Sequence, residues 1–251
     1  MSEAMILARG VTKVYRGDGA ETWALRGVDL EVKQGEFVAV VGPSGSGKST
    51  LLYILGGLLR PTSGTVRVAG MELTEMSDSE LAEFRHWNIG FVFQMYHLIP
   101  RMTALKNVML PLMLRGLPLS EARDRALEAL KLVGLEHRAN HRPAQLSGGE
   151  QQRVAIARAI VTKPKILLAD EPTGNVDRRS AFQIMEIFSM LRKELGITIV
   201  MVTHNLELVK FCDWAARLVD GRIARKYGAS EYEQLVRDMV SSEEEIKNVF
   251  I

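Results

Sequence analysis

The stretch "FVAVVGPSGSGKSTLLYILGGLL", Phe37 to Leu59, decides the fold. Its first five residues are apolar and largely β-branched, as a strand buried on both faces is. Its last eleven form helix readily. Between them "GPSGSGKST", Gly42 to Thr50, has the spacing G-x-x-x-x-G-K-[ST]. Strand, glycine-rich loop and helix in that order make a phosphate-binding loop. Gly45 and Gly47 let the backbone curl so that successive N–H groups face phosphate oxygens. The helix start adds the positive end of its dipole. Lys48 supplies a charge for the β- and γ-phosphates of a nucleotide, and the Ser49 hydroxyl suits Mg²⁺. Gly42, Pro43, Ser44, Gly45, Ser46, Gly47, Lys48, Ser49 and Thr50 are the candidate nucleotide-binding residues. A glycine-rich turn with a chance lysine would not bring all three elements in this order.

Upstream lie two β-rich runs, "MILARGVTKVY" and "WALRGVDLEV"; "KQGE" separates the second from "EFVAVVG" as a hairpin turn would. "TVRVAG" and the apolar "NIGFVFQ" follow as strands. From Leu105 to Ile160 the pattern is helical. In "SEARDRALEALKLVGL", Ala122, Ala126, Leu127, Leu130 and Val133 share one face, and Ser120 is placed to cap the start. "KILLAD" and "ITIVMVTH" read as fully buried strands joined by the crossover helix "SAFQIMEIFSMLRKEL". "RLVDGRIAR" reads as a hairpin turning at Asp220-Gly221. The expectation is an α/β chain with a mainly parallel sheet, an antiparallel β layer on one side and an inserted α-helical subdomain.

A nucleotide site also needs carboxylates, and "ILLADE" ends in Asp170 and Glu171. Carboxyl ends of strands are where ligands of open α/β sheets lie. Asp170 is expected to hold Mg²⁺ through water, and Glu171 to act as general base on the attacking water. Gln94 ends "IGFVFQ" and can touch both Mg²⁺ and the water. His204 ends "TIVMVTH" and can bridge γ-phosphate and base. A lone strand-end histidine is more often structural, but here several polar groups converge on one sheet edge. His137 and His141 have i, i+4 spacing, but they flank a helix exit and have no cysteine near them, which is no zinc pattern.

A second glycine turn sits in "AQLSGGEQQRVAIARA", Ala144 to Ala159. Ser147 and Glu150 form the S-x-x-E of a capping box. Gly148 and Gly149 stand where capping needs no glycine and allow close backbone approach of an anion.

The 251 residues are enough for one large α/β domain or two small ones, and 47% hydrophobic with 25% charged is ordinary for a soluble globular protein. A net charge of +2 gives no argument for a nucleic-acid partner. The single cysteine, Cys212, permits no internal disulfide. The start has no signal-peptide core. No apolar run nears the roughly 18 residues of a membrane span; "VMLPLMLRGLPL" is broken by Pro111, Arg115 and Pro118.

"GPSGSGKST", Gln94, "LSGGEQQR", "ILLADE", "GNVD" and His204, in this order, resemble the ATP-binding subunit of an ABC transporter. The likeness runs to about Gly228, which implies an ATP-binding domain over 1–228, its helical subdomain about 95–160, and a C-terminal helical extension over 229–251. In that family two copies bind ATP head to tail. The resemblance therefore implies that Ser147, Gly148, Gly149 and Glu150 of one copy close over ATP in the other, answering why the chain has two phosphate-suited turns. It also implies that Tyr15 stacks on adenine and that Asp177 lies at the dimer seam. ATP and Mg²⁺ are the implied cofactors. A homodimer, a separate transmembrane permease and a position on the inner face of the cell membrane are the implied assembly.

"IGFVFQMYHLIP", "TALKNVMLPLMLRG", "PAQLSGGEQQRVAIARA" and "LADEPTGNVD" are similar to the LolD, MacB and FtsE branch. The branch implies extraction or export of an amphiphile or lipoprotein, or transmission of force to a cell-wall hydrolase. The alternative is a soluble ABC ATPase uncoupled from transport, whose long coiled-coil insertion or second cassette this sequence lacks. Val176 departs from the usual Leu, and Asn205 from the usual Asp. Met95, Met102, Met109 and Met113 either line a groove for a helix of the membrane partner or belong to the subdomain's core. Tyr232, Leu235, Val236, Met239 and Val240 form an amphipathic stripe expected to pack on its own domain.

Overall fold

Two long strands, β1 (Ala4–Gly17) and β2 (Ala20–Lys33), open the chain as an antiparallel pair in a computed structural model. It describes residues 4–17 and 20–249, with side chains as far as Val240. In β2, Val28, Leu30 and Val32 are buried while Asp29, Glu31 and Lys33 are exposed, the alternation of a strand covered on one face. The turn after Lys33 closes with the Glu36 N–H donating to the Lys33 carbonyl at 3.2 Å. It does not make the expected hairpin. The next strand, β3 (Phe37–Val41), belongs to a different sheet. All five of its residues are 0% exposed, so it needs cover on both faces, unlike one-sided β2. Helix α1 (Lys48–Leu55) follows. Then β4 (Ser63–Val68) pairs antiparallel with the free side of β1, and β5 (Met71–Glu72) with β4. This is the antiparallel layer, in the order β2-β1-β4-β5.

The chain divides into two compact units, one of Met1–Met76 with Val200–Ile251, the other of Ser77–Ile199. The second begins with α2 (Asp78–Asn88), opened by a capping box of Ser77 and Glu80. Next come β6 (Ile89–Val92), α3 (Ala104–Leu114), α4 (Leu119–Leu132), α5 (Gly148–Ile160), β7 (Ile166–Asp170) and α6 (Arg178–Leu195). Helices α3, α4 and α5 pack on one another. Helix α4 buries Ala122, Ala126 and Leu130, and Val133 just past its end is buried too, as the spacing predicts, but Leu127 is only half-buried. Ser120 does not cap it. The helix starts two residues earlier than that cap would place it, after Pro118, whose φ of −55° already suits a helix entry. Strands β6 and β7 run parallel, from Ile89 opposite Ile166 to Val92 opposite Ala169. Gly90 lets α5 close on β6, since a Cβ there would lie 2.5 Å from the Ala159 carbonyl oxygen.

Within the buried strand β8 (Thr198–Thr203) the chain passes back into the first unit. Strand β9 (Trp214–Val219) lies parallel to β3, with Trp214 opposite Val38. Strand β10 (Arg222–Gly228) returns antiparallel to β9. The turn is at Asp220 and Gly221, with φ 46° and 73°, the hairpin geometry the sequence predicts. Helix α7 (Tyr232–Val249) buries Leu235 and Met239. The Tyr227 hydroxyl donates to Asp238 at 2.6 Å and fastens it further. The stripe thus packs on its own unit except at Val240, which is exposed. Among the described residues no helix is long and apolar enough to cross a membrane.

Candidate functional site

In the first unit the phosphate loop is seated backbone to backbone. A Cβ on Gly47 would strike the Ala24 carbonyl of β2, and one on Gly42 the Leu218 carbonyl of β9. Gly47 also has φ 100°, so glycine is required there twice over. The Gly221 N–H, at the tip of the β9–β10 hairpin, donates to the Ser46 carbonyl at 3.1 Å. The loop is therefore braced by β2 and by the hairpin. Lys48 is buried, and its Nζ donates to the carbonyls of Gly42 at 3.0 Å and Pro43 at 2.9 Å. Its ammonium is held within the loop it is expected to serve. Ser44 and Gly45 are exposed at the tip, Pro43, Ser49 and Thr50 are half-buried, and the Ser46 hydroxyl is buried.

Tyr15 stands on β1, 42% exposed, with the Lys13 ammonium 5.3 Å from its ring centre. His204 is exposed just beyond β8. The next residue, Asn205, caps the short helix Leu206–Phe211, its Oδ1 accepting the Glu207 N–H at 3.0 Å. A carboxylate fills that capping role equally well, so asparagine in place of the usual aspartate leaves the local geometry intact.

The second unit gathers Gln94, Asp170, Glu171, the second glycine turn and Asp177. Asp170 ends the buried strand β7 and is itself buried. Glu171 follows with φ 45°, a left-handed backbone that non-glycine residues seldom adopt and that concentrates at functional sites. The Gly174 N–H donates to the Glu171 carbonyl at 3.0 Å and closes the turn. Gln94 lies two residues beyond β6 and is exposed. Its carbonyl accepts from the Asn175 Nδ2 at 3.1 Å, and the Tyr96 hydroxyl donates to the Asn175 carbonyl at 2.9 Å. The segments carrying Gln94 and Glu171 are thus tied together.

Ser147 caps α5, its hydroxyl accepting the Glu150 N–H at 3.2 Å while the Glu150 carboxylate accepts the Ser147 N–H at 2.8 Å. Arg138 lies 3.3 Å from the other carboxylate oxygen. The Ser147 N–H holds Glu150 below the usual carboxylate range, with help from the Ser147 hydroxyl and the charges of Arg138 and Arg153. The glycines have a role within the chain as well. A Cβ on Gly148 would lie 2.8 Å from the Tyr96 hydroxyl, and one on Gly149 would run into Ser180. Asp177 caps α6, accepting from the Ser180 N–H at 2.9 Å and its hydroxyl at 2.6 Å. Those two bonds depress its pKa, the hydroxyl's most.

Sequence reasoning passes over Gln152, Tyr96 and Asn175. Gln152 is 0% exposed and its Nε2 donates to the carbonyls of Phe93 at 3.2 Å and Pro172 at 2.7 Å. Its signal is present in the sequence. Gly149, Gln152, Ile156 and Ala159 repeat at i, i+3, i+7 and i+10, placing a polar residue in the buried stripe of α5. Of the methionines, Met109 is buried while Met95 and Met113 are exposed, so the stripe is part core and part surface.

The family model described as ABC transporter matches residues 25–174. The chain is 54% identical over 213 residues to an uncharacterized ABC transporter ATP-binding protein of Thermotoga maritima, covering 85% of this chain and 91% of that one. It is 51% identical over 213 residues to the lipoprotein-releasing system ATP-binding protein LolD of Geobacter metallireducens, covering 85% and 95%. The dimeric, post-hydrolysis structure of the ATP-binding cassette MJ0796 bound to ADP and Pi superimposes with a TM-score of 0.85 at 45% identity, over 90% of this chain and 99% of that one. These names speak for a transporter subunit and against the soluble alternative.

Proposed function

Since the chain belongs to the ATP-binding, ATP-hydrolysing subunits of ABC transporters, we propose that two copies close head to tail over two ATP and drive a separate transmembrane permease. The ATP-binding domain spans 1–228, with its helical subdomain about 95–160, and 229–251 is an extension; residues 1–3, 18, 19, 250 and 251 lie outside the described ones. The observation that carries the reading is the pair of helix starts in one chain, after Gly47 and after Ser147, each suited to an anion. The MJ0796 cassette, which is dimeric with ADP and Pi, supports the same assembly.

The residues divide the work. Gly42 to Thr50 wrap the phosphates and Lys48 neutralises them, while Tyr15 offers an exposed ring to adenine. Ser49, Gln94 and Asp170 would hold Mg²⁺, the last through water; hydroxyl, amide and carboxylate are the oxygen donors that ion takes. When bound, the ion neutralises charge that develops on the phosphates. Glu171 accepts the proton of the attacking water, Gln94 orients that water, and His204 reaches the γ-phosphate. From the other copy, the exposed Ser147 and the amides of Gly148 and Gly149, which have no partner within their helix, meet the γ-phosphate. Glu150 holds that turn in shape, and Asp177 lies at the seam.

The relative from Geobacter is named for lipoprotein release. We extend that cargo class, a lipoprotein or other amphiphile, to this chain, with the subunit on the inner face of the membrane through its permease. The exposed Met95 and Met113 suit an adaptable contact with a helix of that permease.

Single-cysteine chains test the arrangement. One carries Ser44→Cys and the other Ser147→Cys, both with Cys212→Ser and Glu171→Gln. An ATP-dependent cross-link between the two is expected. If none forms although both chains fold, mix and retain an ATP-induced rise in melting temperature, the head-to-tail dimer is wrong.

A further inference from the structure

Gln152 lies in the first turns of α5, the helix whose start carries the second glycine turn, and it is wholly buried. Its side-chain nitrogen spans two carbonyls, that of Phe93 at 3.2 Å and that of Pro172 at 2.7 Å. The first belongs to the peptide joining Phe93 to Gln94. The second lies one residue beyond Glu171. Both targets are acceptors, so the side chain must present a nitrogen with two hydrogens on a neutral group of this length. Glutamine alone has that. Asn175 fixes the other side of Gln94, donating to its carbonyl at 3.1 Å. The peptides on both sides of Gln94 are therefore tied, one through Gln152 to the turn that keeps Glu171 in its left-handed conformation.

We infer that Gln152 is a positioning residue for hydrolysis, which fixes Gln94 and Glu171 relative to each other and joins both to the helix that meets the partner's γ-phosphate. It touches no substrate; it acts through the two backbone segments it spans. The inference rests on the assignment of Gln94 and Glu171 to the attacking water.

Gln152→Met keeps the length and removes both donors. In the full chain, KM for ATP and the ATP-induced melting shift should stay as in the parent, while kcat falls by about 10–100-fold, the scale of a small misplacement of reacting groups. Gln152→Glu supplies a finer test. A buried carboxyl titrates upward. Protonated, it can donate to the Pro172 carbonyl; ionised, it cannot. Its kcat relative to the parent should therefore rise as the pH is lowered. A Met variant with the parent's kcat, or a Glu variant whose ratio is flat with pH, would overturn the inference. If the Met variant does not fold, the Glu profile decides alone. Glu171→Gln serves as the reference. Undiminished turnover there would overturn the reading of Glu171 and this inference with it, whereas loss there without loss at Gln152 overturns this inference only.

Discussion

Gly148 and Tyr96 meet so closely that a methyl group on the glycine would lie 2.8 Å from the phenolic oxygen, which itself donates to the Asn175 carbonyl at 2.9 Å. Gly148→Ala should therefore overpack the site at a cost of about 1–3 kcal/mol. Tyr96→Phe should cost about 1 kcal/mol for the lost hydrogen bond. Made together they should cost less than their sum, since removing the hydroxyl makes room for the methyl. Urea unfolding midpoints of the four proteins, at unchanged m, measure this. Strict additivity would mean that Gly148 is kept for some other reason.

Glu171→Gln should bind ATP and lose turnover by about 10²–10⁴-fold, because an amide cannot take the proton of the attacking water. The variant should collect as an ATP-bound dimer on size exclusion. Hydrolysis at the parent's rate would remove Glu171 from the role of base.

Lys48→Ala should fail earlier, at binding. With ATP at a hundredfold excess over its parent Kd, a stabilisation of about 2.7 kcal/mol is expected for the parent and most of it should vanish in the variant. The melting temperature with and without ATP reads this directly, and an unchanged shift would contradict the assignment.

The capping box of α5 sets a pH dependence. Glu150 is held below its ordinary value of 4.5, chiefly by the Ser147 N–H. A carboxyl depressed in the folded state contributes stability above its unfolded pKa and loses it as the pH falls through the lower folded value. Glu150→Gln should thus melt below the parent near about pH 7, and the gap should close as the pH drops under about 4.5. A gap constant across that range would show that the charge is not what stabilises the turn.

The phosphate loop, the two acids at the end of β7 and the Ser147–Glu150 cap are legible in sequence because each is local: spacing and residue chemistry within a few positions determine it. The destination of β3 is not. Glu36 and Phe37 follow a tight turn that suits a hairpin, yet the Phe37 N–H bonds to the Asp213 side chain, 176 residues away. Nothing near Phe37 names that partner. Gly148 and Gly149 show a different gap. Their value for approach by a ligand is visible in the motif, but the Tyr96 and Ser180 atoms that also forbid a Cβ come from other segments. Gln152 stood in plain view on the buried stripe, but its two carbonyl partners come from strand ends about 60 and 20 residues away.

The separation of β3 from β9 governs how the chain emerges during synthesis. At about 5–20 residues per second, the 176 residues between Phe37 and Asp213 take roughly 10–35 seconds to make. For that interval the five wholly apolar residues of β3 exist without β9, one of the strands that flank them in the finished sheet. A nascent chain halted near residue 200 should therefore hold a chaperone at Phe37–Val41 and release it once Trp214–Val219 has left the ribosome.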